Sequence, residues 1–244
     1  MYKKGFTLIE LSIVIVIIGL IVAGVVGGQA LVRQANLRSI VTDFNKYETA
    51  INTFLLSFDQ LPGDMNNARD YWGNTVNNGN GDKFIMVEGP PYREGLDAWE
   101  HMSRADILNN GYVGSSVSPT PPGDNAIANI NMPESSISNV LFAIFGSTGN
   151  IIFNKSVDVA ITLGTVQTGT SPCAWCEGGL TPKEARSIDS KMDDGVAHHG
   201  KLLGVDGNSP AAGSCSAKFP TSGADYNLAS TQKGCRFFYL YRKK

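Results

Sequence analysis

A single carboxylate, that of Glu10, interrupts the most apolar stretch of the chain. Between Phe6 and Val26 it is the only charged residue. A run of about 20 apolar residues has the length needed to cross a bilayer as a helix. A charge at the centre of a bilayer costs about 2.5–3.5 kcal/mol, and a buried charge persists only when it is paired. Glu10 is therefore either paired with a positive charge or placed in the first turn near the lipid headgroups, where the positive end of the helix dipole lowers its cost.

The residues before and after Glu10 form a recognisable signal. Lys3 and Lys4 precede Gly5, and the sequence FTLIEL of residues 6–11 opens the apolar run. This arrangement closely resembles the class III signal of type IV pilins and type II secretion pseudopilins. An ordinary secretory signal is cleaved after its apolar region and is discarded. Cleavage after Gly5 would instead leave the apolar helix on the mature protein.

The resemblance implies both a processing reaction and an assembly. A prepilin peptidase would cut between Gly5 and Phe6 and would methylate the new amine of Phe6. Glu10 would then pair with the Phe6 amine of a neighbouring subunit in a filament. The implied partners are copies of this chain or other pilins and pseudopilins, together with an inner-membrane assembly platform. The alternative is a plain signal anchor with a first-turn acid near the lipid headgroups, which would require neither Gly5 nor Glu10.

Four cysteines could form disulfides, a redox site or part of a metal site. An even number of cysteines in an exported domain favours disulfides. Of the three pairings, we favour Cys215–Cys235, which would hold the last strand, together with Cys173–Cys176. The spacing of Cys173 and Cys176 also occurs in redox motifs, but no thioredoxin-like βαβ pattern surrounds it. A zinc site could be formed by Cys173, Cys176, His198 and His199. It is disfavoured, because adjacent histidines rarely bind the same ion and the spacing is not that of a zinc finger.

Oxygen-bearing side chains alternate in the loop sequence of residues 74–83. Asn78, Asn80 and Asp82 occupy every second position, as do the first ligands of a calcium-binding loop. The terminal Glu of that twelve-residue pattern is missing, because Glu88 lies out of register. We therefore favour a surface turn with no cofactor and keep a calcium ion at these three residues as the alternative.

The chain contains no established catalytic motif. GxSxG, HExxH and P-loop patterns are all missing from its sequence. Asp189, Asp193 and Asp194 lie near His198 in sequence, but a solvated helix end explains these acids. The sequence therefore predicts a protein that is not an enzyme.

The charge of the chain restricts its partners and its orientation. Charged residues make up 17% of the 244 residues, and the net charge is −2. The basic surface that would neutralise nucleic-acid phosphates is missing, so no nucleic-acid partner is expected. Lys3 and Lys4 favour a cytoplasmic N-terminus. We expect a single-pass inner-membrane protein with its head in the periplasm, or a subunit of a cell-surface filament.

Apolar residues continue beyond the membrane run at spacings of three and four. They are Leu37, Ile40, Val41, Phe44, Tyr47, Ile51, Phe54, Leu55 and Phe58. This spacing predicts an amphipathic helix with one buried face, and a continuous helix over Phe6–Phe58 would be about 80 Å long. Gly24, Gly27 and Gly28 could bend this helix, because each Gly weakens a helix by about 1 kcal/mol. They could equally allow close helix packing in a membrane.

The remaining sequence predicts a small mixed head. The expected helices are Gly95–Asn109 and Leu180–Met192, the latter with Thr181 as N-cap and Pro182 in its first turn. The expected strands are a hairpin of Asn139–Phe145 and Asn150–Asn154 around Gly146–Gly149, then Val157–Leu163 and Cys235–Tyr241. The fold class is thus α+β, and a long helix carrying this head matches the lollipop shape of the pilin family.

Four segments follow from this organisation. They are a leader at 1–5, a transmembrane and filament-core helix at 6–30, an amphipathic helix at 31–60 and a periplasmic head at 61–244. The sequence favours a structural filament subunit, either a pseudopilin or a minor pilin, serving type II secretion or a type IV pilus. The alternative is a membrane-tethered periplasmic binding protein or enzyme with a pilin-like anchor.

Overall fold

The longest element is helix α1, which runs without interruption from Leu8 to Phe58. The computed structural model describes residues 5, 7–85, 94–114, 127–152, 155–167, 173–208, 213–216 and 224–242, with backbone alone at 147–152, 155, 156, 167, 173–175 and 242. At 1.5 Å per residue, the 51 residues of α1 span about 75 Å. Gly24, Gly27 and Gly28 lie inside this helix, so the chain does not unwind at the junction. Phe6, the predicted first residue of the helix, lies outside the described residues.

Helix α1 has two halves with different surroundings. All side chains from Leu8 to Val32 are exposed. From Leu37 onward one face is buried, and its buried residues are Leu37, Ile40, Phe44, Tyr47, Ala50, Ile51 and Phe54. This confirms the amphipathic stripe that the spacing of apolar residues predicts. The helix ends as predicted after Phe58, where Asp59 adopts a left-handed conformation with φ of 52° and donates its N–H to the Leu55 carbonyl over 2.9 Å.

The buried face of α1 lies on a five-stranded antiparallel sheet. Its strands are β1 (Val140–Ile152), β2 (Lys155–Gln167), β3 (Cys173–Glu177), β4 (Leu202–Asp206) and β5 (Cys235–Arg242). The order is β1-β2-β5-β4, and β3 pairs with the C-terminal part of β2. This long helix with a small antiparallel sheet confirms the α+β fold class and is consistent with a pilin-like lollipop.

Strand β5 contributes apolar side chains to both faces of the sheet. Phe237 and Tyr239 join the main core with α1, whereas Phe238 and Leu240 join a second apolar cluster. Successive side chains of a strand point to opposite faces, so a sheet buried on both faces needs an uninterrupted apolar strand. This explains the aromatic run near the end of the sequence.

Aromatic rings connect α1 to the sheet. The ring centroid of Phe44 lies 5.1 Å from that of Phe142, 5.8 Å from that of Tyr239 and 6.3 Å from that of Phe237. The Tyr239 hydroxyl also donates to the Glu48 carboxylate over 2.9 Å. The pairs with Phe142 and Phe237 are edge-to-face, and such pairs contribute about 0.5–1.5 kcal/mol each beyond the area they bury. The upper half of α1 is therefore an integral part of the head.

Three shorter helices complete the described fold. They are α2 (Ala68–Trp72), α3 (Glu94–Arg104) and α4 (Pro182–Met192). Helix α4 has the predicted Thr181 cap, in which Thr181 and Glu184 form a reciprocal capping box. The predicted end of α3 at Asn109 is wrong. The chain leaves the helix after Arg104 because Asp106 takes a left-handed φ of 55° and the N–H groups of Ile107 and Leu108 both turn back to the Met102 carbonyl.

The predicted hairpin around Gly146–Gly149 is also wrong. Strand β1 continues through these residues, and its partner is β2, with Phe145 opposite Ala160 and Ile152 opposite Lys155. Gly146 lies at an irregularity in this pairing, where a Cβ would come within 2.3 Å of the Asp158 carbonyl oxygen. The glycine therefore allows close approach of the neighbouring strand, a common role for Gly within a strand, and does not form a turn.

Two strands were not predicted from the sequence. Strand β3 is five residues long, and within the described residues its one partner is the end of β2. Strand β4 is equally short and pairs with β5, where Leu203 lies opposite Phe238. Short apolar runs of this kind become strands through their partners, and their periodicity alone cannot distinguish them from helix.

Cys215 and Cys235 form a disulfide, which is the pairing favoured from the sequence. Both residues are fully buried, and they lie 20 positions apart. Cys176 is also disulfide-bonded, whereas the side chain of Cys173 lies outside the described residues. The Cys173–Cys176 pairing and the division of the chain into four segments stay predictions.

We expect the Cys215–Cys235 disulfide to stabilise the head substantially. Replacing both residues with serine should lower the free energy of unfolding by about 2–4 kcal/mol, because a loop of this length restricts the unfolded chain. Urea unfolding of the full chain in detergent measures the change. The control is the double substitution Cys173→Ser with Cys176→Ser, which opens a much shorter loop and should cost less. Equal unfolding free energies for the wild type and the Cys215–Cys235 variant would contradict this expectation.

Candidate functional site

The start of α1 holds Glu10 in a defined position. Thr7 is the N-cap of the helix, and its hydroxyl accepts the N–H of Glu10 over 3.3 Å. The Glu10 carboxylate folds back, and its Oε2 atom accepts the Thr7 N–H and the Thr7 hydroxyl, each over 2.8 Å. This is a capping box, in which two N–H groups of the first turn are satisfied reciprocally. It places the negative charge at the positive end of the helix dipole.

Sequence reasoning singled out Glu10 but missed Thr7. The signal was present, because a Thr followed three residues later by Glu, directly before an apolar run, is the sequence signature of a capping box. Gly5 is described and exposed, whereas Phe6 and the basic residues Lys3 and Lys4 lie outside the described residues. The structure thus shows the helix start beside the predicted cleavage position but gives no geometry for the Gly5–Phe6 bond itself.

The apolar half of α1 has no cover from the described part of the chain. The exposed fraction of its large apolar side chains between residues 8 and 26 ranges from 49% at Val14 to 86% at Leu8. Monomeric soluble proteins rarely expose a continuous apolar surface of this extent. The helix is long and apolar enough to span a membrane, and it is compatible with a membrane anchor.

An ion pair marks where the head first contacts α1. The Arg33 guanidinium pairs with the Glu184 carboxylate, and the other oxygen of Glu184 caps helix α4. One turn further along α1, the Asn36 carbonyl accepts the hydroxyl of Ser136 over 2.9 Å. These contacts attach the head directly above the exposed apolar half, so that the direction of that half and the orientation of the head are coupled.

The side-chain oxygens of the candidate calcium residues accept backbone N–H groups of the loop and of the segments beside it. The Asn78 side-chain oxygen accepts the Arg69 N–H over 2.9 Å. The Asn80 oxygen accepts the Asp82 N–H, and Asp82 in turn accepts the N–H of Phe84, also over 2.9 Å each. These hydrogen bonds account for the three side chains as parts of a surface turn, and calcium at Asn78, Asn80 and Asp82 stays a prediction.

A different carboxylate, that of Asp64, organises this loop. Asp64 is buried, and its two oxygens accept the N–H groups of Gly81, Asp82 and Lys83 over 2.7–3.0 Å. Burial raises the pKa of Asp64 to about 6, although these hydrogen bonds lower it. The neutral imidazole of His101 adds a second connection, because its Nδ1 accepts the Gly63 N–H over 3.0 Å. Both residues act structurally, and sequence reasoning identified neither role.

Three acids near the end of α4 lie close enough together to suggest a metal site. They are Asp189, Asp193 and Asp194. Asp189 accepts the Tyr226 hydroxyl over 2.8 Å, Asp193 accepts the Lys201 and Leu202 N–H groups, and Asp194 pairs with His199. Each carboxylate thus has a structural role in closing the helix end. Burial raises the pKa of Asp189 to about 7, although the hydrogen bonds from Tyr226 and Gly195 lower it.

A serine and a histidine approach each other in the head without forming an accessible site. The Ser216 hydroxyl lies 2.8 Å from Nε2 of His198. Ser216 is 0% exposed and His198 is 1% exposed, so a substrate cannot reach either group in this structure. The pair connects the 213–216 segment, which carries Cys215, to the turn before β4.

Comparison with known proteins identifies the start of the chain. Residues 1–26 match the family model described as the prokaryotic N-terminal methylation motif, which is the signal of type IV pilins and pseudopilins. The chain therefore begins as a type IV pilin-like precursor does, and this class points to a structural subunit. No curated protein and no solved structure shows significant similarity to the chain.

Asp189 should make the stability of the head depend on pH. Its folded-state pKa of about 7 lies above the ordinary value of 3.8, so the folded state holds the proton more tightly. The stability that this proton contributes is complete below about pH 4 and is lost as the pH rises to about 7. Asp189→Asn should not lose stability in this way, because asparagine does not ionise. Relative to wild type, the free energy of unfolding of the variant should therefore increase between pH 4 and pH 7, by an amount on the order of a few kcal/mol.

Chemical unfolding at a series of pH values measures this difference. His101 acts in the opposite direction, because burial lowers its pKa to about 4, but it is present in both proteins and cancels in the comparison. Asp193→Asn serves as a control in the same turn, because that carboxylate is exposed to solvent. A difference between Asp189→Asn and wild type that stays constant from pH 4 to pH 7 would show that Asp189 is not the titrating group.

Proposed function

We propose that the chain is a structural subunit, a pseudopilin or minor pilin, of a filament assembled at the inner membrane for type II secretion or a type IV pilus. Prepilin peptidase cuts the Gly5–Phe6 bond and methylates the new amine. The observation that carries this proposal is that the methylation motif and the exposed apolar helix lie in the same part of the chain. The methylation motif matches residues 1–26, and residues 8–26 of this stretch form the exposed apolar start of α1.

The surface of the apolar half supports assembly with other subunits. Before assembly, lipid covers this half, since its length suits a bilayer. A subunit that leaves the bilayer must cover the same surface with protein, because water cannot solvate it favourably. The partners of matching chemistry are the apolar helices of further copies or of other pilins and pseudopilins. An inner-membrane platform would bring them together.

The geometry at Glu10 supports a charge pair in the filament. The hydrogen bonds given to this carboxylate by described residues end on Oε2, which leaves Oε1 for a partner from outside the chain. Cleavage before Phe6 creates a positive amine on every subunit. A carboxylate at the same end of a neighbouring helix is the group that would neutralise this amine in an apolar surrounding.

The head supports a periplasmic location and a coupled orientation. Lys3 and Lys4 favour the cytoplasm for the leader, and a buried disulfide suits an oxidising compartment such as the periplasm. Because Arg33 and Phe44 connect α1 to the head, packing of the helices in a filament core would set the direction in which every head faces.

We expect the mature protein to lack Met1–Gly5 and to carry one additional methyl group. The intact mass of the protein extracted from membranes of its host measures both changes. Gly5→Leu should abolish them, because the side chain would occupy the cleavage position. Gly19→Leu is the matched control, since a Cβ at Gly19 meets open space and this residue lies away from the predicted cut. A full-length, unmethylated wild type would contradict the proposal.

The role of the Glu10 charge can be separated from its capping role. Glu10→Gln keeps a side chain that can complete the capping box but removes the charge. It should be processed normally and should enter filaments more than about tenfold less well, because an uncompensated buried charge costs about 3–5 kcal/mol. Thr7→Ala keeps the charge and removes the cap, and it should lose less. Quantitative immunoblotting of sheared filaments measures incorporation, and a wild-type level for Glu10→Gln would refute the charge pair.

A further inference from the structure

Three asparagines in the described chain directly precede a glycine. They are Asn78, Asn80 and Asn110. We propose that Asn110 is a site of spontaneous deamidation, and that the fold protects Asn78 and Asn80 from the same reaction. The inference rests on the hydrogen bonds of the following glycines and is independent of the filament function.

The reaction requires a free backbone nitrogen after the asparagine. The glycine nitrogen loses its proton to base and attacks the side-chain carbonyl carbon of the asparagine. A C–N bond forms, ammonia leaves, and a five-membered succinimide ring results. Water then opens the ring at one of its two carbonyls, giving aspartate or isoaspartate. Glycine favours the attack because it has no Cβ and its backbone is free to rotate.

The first two pairs have glycine nitrogens that are already engaged. The Gly79 N–H donates to the Met65 carbonyl over 2.8 Å. The Gly81 N–H donates to Asp64 twice, to its carboxylate over 2.7 Å and to its carbonyl over 3.0 Å. Removing a proton that faces a carboxylate creates two adjacent negative charges, which repel each other. The attacking nitrogen is therefore unavailable at both positions as long as this loop stays folded.

The third pair has a glycine nitrogen without such a partner. The Gly111 N–H donates no hydrogen bond to any residue in the described part of the chain. Asn110 and Gly111 are both exposed, and a Cβ at Gly111 would meet nothing within 4 Å. Base, water and the asparagine side chain can therefore all approach this nitrogen.

Deamidation at Asn110 would strain the head, because the turn is anchored on both sides. Leu108 is 2% exposed and Tyr112 is 3% exposed, and the Tyr112 ring packs on Trp99 with 6.1 Å between centroids. Isoaspartate inserts one extra backbone atom between these anchors. Aspartate instead adds a negative charge to a turn that already carries exposed Asp106. Protein that has deamidated at Asn110 should therefore be less stable than fresh protein.

Incubation of the folded full chain in detergent at mildly alkaline pH tests this proposal. Peptide mapping by mass spectrometry, with enzymatic methylation to detect isoaspartate, follows all three positions. Asn110 should convert at least about tenfold faster than Asn78 and Asn80, which is the factor expected from one or two hydrogen bonds that must break first. In urea, where the fold is lost, the three pairs should react at similar rates.

Two matched variants complete the experiment. Asn110→Gln should remove most of the isoaspartate formed by the folded protein, because glutamine would have to close a larger ring. Asn78→Gln should leave the yield unchanged. Similar rates at the three positions in the folded protein, or an unreacted Asn110 under conditions where the unfolded chain reacts, would overturn the proposal.

Discussion

The contact of Phe44 with the sheet is the interaction on which the rest of the structure depends. Its ring packs against Phe142 of β1 and against Phe237 and Tyr239 of β5. One side chain of the long helix thus holds together strands that lie far apart in sequence. Phe44 lies at the centre of the buried stripe of α1, whose other members cover the main core face of the sheet together with it. The head and the upper helix therefore form a single packed unit.

The lower half of the helix has the opposite character, and this contrast suggests its function. Its apolar surface is exposed on every side in the described structure, so its stable surroundings are lipid or other apolar helices. The one acid in this half, Glu10, is held at the helix start by Thr7. The upper half of α1 is packed in the head, whereas the lower half exposes apolar side chains that other apolar helices could cover. This arrangement suits assembly with other subunits, and the methylation motif at residues 1–26 also points to a pilin-like subunit.

Local signals in the sequence predicted local structure well. The spacing of apolar residues located the end of α1 at Phe58, and the sequence around Thr181 located the start of α4, because periodicity and capping depend on neighbours in the chain.

Predictions that depended on distant partners failed. Gly146 indicated a turn, but the approach of β2 makes it part of a strand. Likewise, the role of Asp64 arises only when the loop folds over it. At the site itself, Gly5 and Glu10 were recognisable from sequence, whereas the partner of Glu10 in an assembly belongs to another molecule.

The central claim is that one continuous helix connects the apolar half to the head. It is tested most directly by a distance measurement across the glycines at 24, 27 and 28. Spin labels introduced as noncanonical amino acids at the exposed positions Leu20 and Thr49 would leave the disulfides intact. Double electron–electron resonance in lipid nanodiscs should give one narrow distance distribution near about 44 Å, the length of straight helix between the two positions. A broad distribution, or one centred well below this distance, would show that the helix bends or unwinds at the glycines and would contradict the account.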